Sequence, residues 1–533
     1  MSSGIDRGSN CGTDRGVDRS LDRNPDGSSD GNPQHGPERY AGRAVLALVL
    51  TLLGLAAGCA VGPRYQRPAA TAPSAAVPAA WKTEPPWQQA APKDSIAKGA
   101  WWQVFHDPAL DAYEQQLLQA NQSLLAARER LEQSRSLARV ATSGFFPQLS
   151  ADPGALSQGA GVNRPLSGAP TATSYAQHVF TIPFNISYEA DLFGDVRHRV
   201  EAANASLQSS AADLENARLV LTAELAADYF SLRELDAELL VVDENVGYER
   251  KGLALVNNRH DGGVASGLEV AQQYALLDAT LTQLALVRQS RAQYEHAIAV
   301  LIGQPASNFN VTSMPLRAAP PPVPPGVPSD VLERRPDIAS AERQIAAANA
   351  QVGVARAAFY PHITLGGVGG WQSRDLSTLV NAPSVFWSIG GDALTPLFQG
   401  GRNRANLAAA RSAYGASVAD YRQSVLTAFQ QVEDGLSNLQ TLAEASATQA
   451  AAVEDARREL AIANNRYVGG VTTYLDVITA QSTLLTNERL ATQLLGQQMV
   501  SSVYLVKALG GGWDASDLNQ QQVRPQAKQI LQR

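Results

Sequence analysis

The chain repeats itself once, at a long period. Phe145-Phe146-Pro147-Gln148-Leu149-Ser150 returns as Phe359-Tyr360-Pro361-His362-Ile363-Thr364. Arg259-His260-Asp261-Gly262-Gly263-Val264 returns as Arg466-Tyr467-Val468-Gly469-Gly470-Val471, and Leu301-Ile302-Gly303 returns at Leu509-Gly510-Gly511, one residue out of step. The copies lie about 205–215 residues apart, well beyond the roughly 20–50 residues of a solenoid repeat. Each half is therefore a large unit, and the fold should carry internal two-fold pseudosymmetry.

Within each half the order reads helix, strand pair, helical hairpin. The chain is 44% apolar but only 6% aromatic, and rich in Ala, Leu and Gln, which lose little freedom in a helix. A first helix runs from Asp107 to Thr142; its counterpart runs from Pro336 to Ala358. The Phe-Phe-Pro and Phe-Tyr-Pro runs end them, because proline disfavours helix in the residue before it. Phe180, Ile182, Phe184, Ile186 and Tyr188 then alternate with Thr181, Pro183, Asn185, Ser187 and Glu189. This strict period of two spans about the 9–11 residues of a membrane-crossing strand, although a soluble hairpin with one wet face has the same pattern. Val385, Trp387 and Ile389 repeat it less cleanly, and the expected partner strands are Leu149–Leu156 and Ile363–Trp371.

Two very long helices follow, Val196 to Asn258 and Arg404 to Asn465. Apolar residues step by three and four in a coiled-coil-like stripe, for example Leu214, Ala217, Leu221, Leu225, Tyr229 and Leu232. At 1.5 Å per residue each reaches about 90–100 Å, too long for one compact domain. Each breaks at Gly-Gly and resumes, so each half ends in a projecting hairpin.

The N-terminal end is different in kind. A polar tail to about Pro37 has no apolar period. Arg39 and Arg43 precede a run of about 15 apolar residues closing in small ones, the pattern of a secretory signal and short for a membrane helix. The end, Leu55-Ala56-Ala57-Gly58-Cys59, resembles a bacterial lipobox with Ala56 where a large residue is usual; an ordinary signal peptide ending near Cys59 is the alternative. Prolines 63, 68, 73, 78, 85 and 86 then make an extended tether. The expected segments are thus tail and signal over 1–58, tether over 59–100, first repeat over 101–314, Pro-rich linker over 315–329, second repeat over 330–513 and a polar tail over 514–533.

Four membrane-length strands cannot stand alone in lipid. An open sheet leaves edge N–H and C=O groups unpaired at several kcal/mol each, and a closed barrel needs about eight strands or more. Chains must share one barrel. Three give twelve strands and a lumen, whereas eight would be filled by their own side chains.

Three stretches carry a resemblance: Trp101-Trp102-Gln103-Val104-Phe105-His106-Asp107-Pro108, Pro328-Ser329-Asp330-Val331-Leu332-Glu333-Arg334-Arg335-Pro336-Asp337-Ile338, and Lys507-Ala508-Leu509-Gly510-Gly511-Gly512-Trp513. With them the chain resembles TolC-type outer-membrane efflux factors of the lipoprotein branch typified by OprM and NodT. The resemblance implies a mainly α fold with transmembrane β, as a homotrimer with a twelve-stranded barrel and a helical tunnel entering the periplasm. It implies a lipid on Cys59 and contact with outer-membrane lipid. It also implies passive export, driven by an inner-membrane transporter of RND type through a periplasmic adaptor. Adaptors would dock at the hairpin tips, Gly262, Gly263 and Val264 with Gly469, Gly470 and Val471. Asp476 matches an acidic constriction residue of the family; a second family carboxylate is Thr479 here.

The repeat places Glu269 opposite Asp476, in Gly267-Leu268-Glu269-Val270 and Tyr474-Leu475-Asp476-Val477. In a trimer these would form acidic rings, which select cations; otherwise they sit on solvated helix faces. Tyr467 is expected to latch neighbouring hairpins.

Net charge is −7 with no Lys/Arg block, which argues against a nucleic-acid surface. There is no His-Glu-x-x-His, phosphate loop or Cys-x-x-Cys, and Gly27-Ser28-Ser29-Asp30-Gly31 lies in the polar tail, away from any strand-to-helix elbow, so neither an enzyme nor a cofactor is expected. A periplasmic coiled-coil adaptor or structural lipoprotein is the competing reading. It would have no reason to alternate apolar and polar residues around Phe184.

Overall fold

A computed structural model of the chain describes residues 61–71, 76–82, 99–160, 175–323 and 328–513. The chain divides into Met1–Cys59 and Ala60–Arg533. The signal, Cys59 and the tail from 514 onward lie outside the described residues.

Asp107 caps α1 (Pro108–Ala120), accepting from the N–H groups of Ala109 and Leu110 at 2.9 and 3.2 Å. Asn121 then turns extended, and its side chain accepts from the Leu124 N–H to open α2 (Gln122–Ser143). The single helix expected from Asp107 to Thr142 is therefore two, because Asn121 leaves the helix to cap its successor.

Two helical hairpins dominate. The first is α3 (Asp195–Asp261) with α4 (Gly267–Leu301). Between the hairpins come α5 (Pro328–Arg334) and α6 (Pro336–Ala357). The second hairpin is α7 (Arg402–Val468) with α8 (Tyr474–Ala508). In both hairpins the chain runs 67 residues out and 35 back. Each long helix spans about 100 Å. Among the described residues no helix is apolar enough to cross a membrane.

The helix α3 packs against α2, α4, α6 and α8, and α7 packs against α6 and α8. Towards the strands the rows are α2, α3, α6 and α7; towards the tips they are α4, α3, α8 and α7. The short helices meet end to end. Asn121 Nδ2 donates to the Leu301 carbonyl at 2.8 Å, and Arg335 Nη1 donates to the Ala508 carbonyl at 3.1 Å. At these joints the chain turns through Gly303 (φ +73°) and Gly510 (φ +93°). A Cβ on Gly303 would lie 2.5 Å from the Ala120 carbonyl oxygen, and one on Gly510 would run into the Arg334 carbonyl. Gly510, not Gly511, is thus the counterpart of Gly303, which removes the one-residue slip in the sequence match.

The stretch between the hairpins is bolted to α3 and α4 by buried charges. Asp236 accepts from the Ser313 hydroxyl and the Met314 N–H, and Arg291 Nε donates to it at 2.6 Å. Arg233 Nη1 donates to the Thr312 carbonyl at 2.6 Å. The helix α5 begins at Pro328, within the last residues of the 315–329 stretch read as linker. Of the tether, the Tyr65 hydroxyl donates to Glu342 Oε1 at 2.7 Å and Trp81 packs edge-on against Phe429.

The strands form one antiparallel sheet. β1 (Gln148–Ala151) and β2 (Gly154–Ala160) both pair with β3 (Tyr175–Ala190), which pairs with β4 (His362–Ser373), and β4 pairs with β5 (Val385–Leu394). The strand expected at Leu149–Leu156 is thus one edge in two pieces. Its gap at Asp152-Pro153 faces Pro183, which has no N–H to give. Opposed residues share a face of the sheet. One face carries Leu149, Ile186, Gly367 and Ile389 in a row, with Phe184, Gly369 and Trp387 in the next. Trp387 is 75% and Ile389 82% exposed. The other face carries Ser150, Asn185, Val368 and Ser388 in one row and Glu189, Thr364 and Asp392 in another. Among the described residues, neither the β1/β2 edge nor the β5 edge has a further strand.

The Gly510 joint gives a direct test. Gly510→Ala should destabilise the protein by roughly 2–4 kcal/mol, because a Cβ meets both a carbonyl and an unfavourable φ. A lowered melting temperature in detergent checks it, with Gly415→Ala inside α7, where a Cβ meets open space, as the control that should hold or slightly raise it.

Candidate functional site

The two hairpin tips close by the same backbone device. Gly263 takes φ +74° and Gly470 φ +72°, which a side chain would oppose. The Val264 N–H then reaches the Arg259 carbonyl at 2.7 Å, and the Val471 N–H reaches that of Arg466 at 2.9 Å. These bonds satisfy the carbonyls left open at the ends of α3 and α7. Gly262 and Gly469 end the helices in right-handed conformation. Val264 and Val471 are left as exposed apolar residues at the turns.

The return helices start differently. Ser266 caps α4 in a capping box with Glu269, each side chain satisfying the other's backbone N–H. On α8 the N-cap Thr473 makes no side-chain bond, and the Thr472 hydroxyl donates to Asp476 instead. The two carboxylates therefore occupy equivalent steps but not equivalent surroundings.

Glu269 is engaged by the other hairpin. The Tyr467 hydroxyl donates to Glu269 Oε2 at 2.9 Å. Tyr467 is buried, with the Arg259 guanidinium 4.6 Å from its ring centre and the Tyr474 ring centre 4.8 Å away. Burial, and then the Glu269 carboxylate, push the Tyr467 hydroxyl up, so it stays a proton donor. Tyr474 continues the link: its hydroxyl donates to Gln273 Oε1 at 2.8 Å, and Gln273 Nε2 donates to the Glu249 carbonyl at 2.9 Å. The Glu249 side chain is buried, accepts from Thr280 at 2.9 Å and leaves its second oxygen without a hydrogen bond. Burial pushes its carboxyl up to about 7. Asp476 lies outside this chain of contacts and is exposed.

Tyr467 therefore ties the two hairpins of one chain together. Arg259, Gln273, Glu249 and Tyr474 were not expected from sequence. The repeat held a partial signal: Tyr467 and Tyr474 stand where the first copy has His260 and Gly267, so both aromatic rings belong to one tip only.

A sheet with an exposed apolar face, joined to paired helical hairpins, fits an outer-membrane channel. The chain belongs to the outer membrane efflux protein family, whose model matches residues 114–304 and 327–511. It is 33% identical over 470 residues to the solvent efflux pump outer membrane protein SrpC of Pseudomonas putida, covering 88% of this chain and 97% of that one. It is 33% identical over 443 residues to the pyoverdine export outer membrane protein OpmQ of Pseudomonas aeruginosa, covering 83% and 92%. Among solved structures, the outer-membrane channel OprN superposes with a TM-score of 0.78 at 28% identity, covering 85% of this chain and all of that one. The open-state MtrE channel of Neisseria gonorrhoeae superposes with a TM-score of 0.72 at 27% identity, covering 86% and 99%.

Two outcomes follow. Tyr467→Phe removes a hydrogen bond to a charged group, worth about 1.5–3 kcal/mol, and should speed amide exchange at the tips by about tenfold or more. Glu249 has its carboxyl raised on folding, so its contribution is fully present below the ordinary carboxylate range and is lost as pH rises through about 7. Exchange of the α3–α4 hairpin, corrected for intrinsic rate, should therefore be faster at pH 8 than at pH 5. Glu249→Gln should abolish that difference.

Proposed function

We propose that three copies of the chain close one twelve-stranded barrel and one helical tunnel, forming a passive exit duct from periplasm to exterior. One observation carries this reading: the sheet has a lipid-suited face and two strand edges with no partner among the described residues. Lipid offers no hydrogen bonds to such edges, so copies must pair edge to edge. Four strands and four helical rows per chain then close both cylinders together, with the two repeats acting as quasi-equivalent halves. A lipid on Cys59 would hold each chain at the membrane. The tips, through Gly262, Gly263, Val264, Gly469, Gly470 and Val471, would receive a periplasmic adaptor, which couples the duct to an inner-membrane transporter.

The relatives' names, solvent export in one and pyoverdine export in another, support an outlet whose substrate is chosen upstream. An adaptor or structural lipoprotein is not favoured, because the family matched is that of outer membrane efflux proteins.

Opening requires the Tyr467–Glu269 tie within each chain to yield, so these residues form the latch. Asp476, exposed on the first turn of α8, supplies the acidic ring at the entrance. Three such charges in a narrow aperture repel one another and favour cations.

Outer-membrane fractions should yield a heat-modifiable trimer that forms discrete cation-preferring channels in planar bilayers; a soluble, non-conducting protein would overturn the duct. Asp476→Ala should raise conductance and weaken cation preference. If both stay unchanged, the acidic gate is wrong.

A further inference from the structure

A cavity of about 940 Å³ lies where α3, α4, α7 and α8 come together, well away from the tips. That volume suits a drug-sized molecule. Two carboxylates enter it from one face of α3, at positions 234 and 238. Glu238 is buried and fully engaged: Arg489 Nε donates to its Oε1 at 2.7 Å, and Gln493 Nε2 donates to its Oε2 at 3.4 Å. Arg489 in turn gives Nη1 to Gln283 at 3.0 Å, so the one base lining the cavity is already committed.

Among the described residues no base donates to Glu234; its carboxyl instead shares a hydrogen bond with that of Glu238. Glu234 Oε1 is shielded from solvent and makes no hydrogen bond. The side chain lies over Gly496 on α8, where a Cβ would run into Glu234 Cγ. The glycine thus makes room for a second carboxylate beside Glu238, with Arg489 the one base facing the pair. Burial, and then the neighbouring Glu238, push the Glu234 carboxyl up to about 7. The remaining walls mix polar side chains, such as Ser290, Asn438 and Gln497, with apolar ones that include Tyr294 on α4 and Tyr504 on α8.

We infer that this cavity binds an organic monocation with an apolar body, its charge taken by Glu234 and its body laid against Tyr294 and Tyr504. Two carboxylates facing one arginine leave one negative charge to be matched, and tyrosine faces attract cations further. A bulky organic cation meets these walls without the dehydration that a small metal ion would require. Its meaning for export rests on the duct reading above; the binding itself does not.

Binding must draw Glu234 into its charged form, so affinity should rise with pH through about 7. The other ionisable groups facing it are Glu238 on α3, Arg489 and Tyr504 on α8 and Tyr294 on α4; α7 contributes Asn438, Thr441 and Leu442, none of which titrates.

The test is fluorescence anisotropy of rhodamine 6G with the purified full-length protein in detergent, with fluorescein as the anionic control. The native protein should bind rhodamine saturably and about tenfold more tightly at pH 8 than at pH 6, and fluorescein not at all. Glu234→Gln should weaken rhodamine binding at pH 8 at least tenfold and erase the pH dependence, while its single-channel conductance shows that it still assembles. Equal binding by native protein and Glu234→Gln, or equal binding of both dyes, would overturn the site. Native protein that binds rhodamine but never conducts would overturn the duct and leave the site standing.

Discussion

Every backbone polar group placed in hydrocarbon needs a partner, and this requirement governs the whole molecule. The inner strands β3 and β4 meet it within the chain, while the outer edges do not. In water, the exposed row of Leu149, Ile186 and Ile389 would add an apolar face to those open edges and invite aggregation. In lipid the apolar face is an asset and the edges become the only problem. In the proposed assembly side-by-side copies solve it, and the number of copies that closes the strands also fixes the number of helical rows. The soluble body therefore inherits its proposed symmetry from a requirement imposed inside the membrane.

The helical body shows a second use of the same economy. It carries four rows along its length, although only α3 and α7 are long enough to run the whole way. The other two rows are assembled from short helices placed end to end, with Asn121 and Arg335 binding the terminal carbonyls of the helices they meet. Such joints satisfy helix ends that would otherwise be buried without partners. At the tips the two copies diverge: their turns are alike, but the acid of the first is bound by a tyrosine of the second. Likeness of backbone gives the ends of the hairpins the same reach, and unlikeness of side chains lets one hairpin hold the other.

Much of the fold was legible because it rests on periodicity. The alternation from Phe180 to Tyr188 marks β3, and steps of three and four mark α3 and α7 to within a few residues. Asn121 was missed because an Asn inside an apolar helical pattern does not reveal whether its side chain faces out or caps a new helix. The split of β1 from β2 falls where Pro183 lies opposite Asp152, a pairing that neither stretch shows by itself. The candidate site was legible only in part. Glu269, Asp476 and Tyr467 were reachable by comparing the copies, whereas the pairing of Tyr467 with Glu269 depends on how one hairpin leans on the other. Glu234 was invisible for the same reason: an acid every few residues is ordinary on a long helix, and only Gly496, far away in sequence, makes this one different.

The matched lengths of the hairpins have a mechanical consequence. One residue inserted into α3 alone would advance its tip by about 1.5 Å and rotate it by about 100° relative to α7. Glu269 would swing off the Tyr467 hydroxyl, and Gln273 would lose Tyr474. The two hairpins thus behave as paired rulers, each gauging the other. The reach of the tips can change only by paired insertions or by whole turns, so a different span from the membrane requires both copies to be recut together.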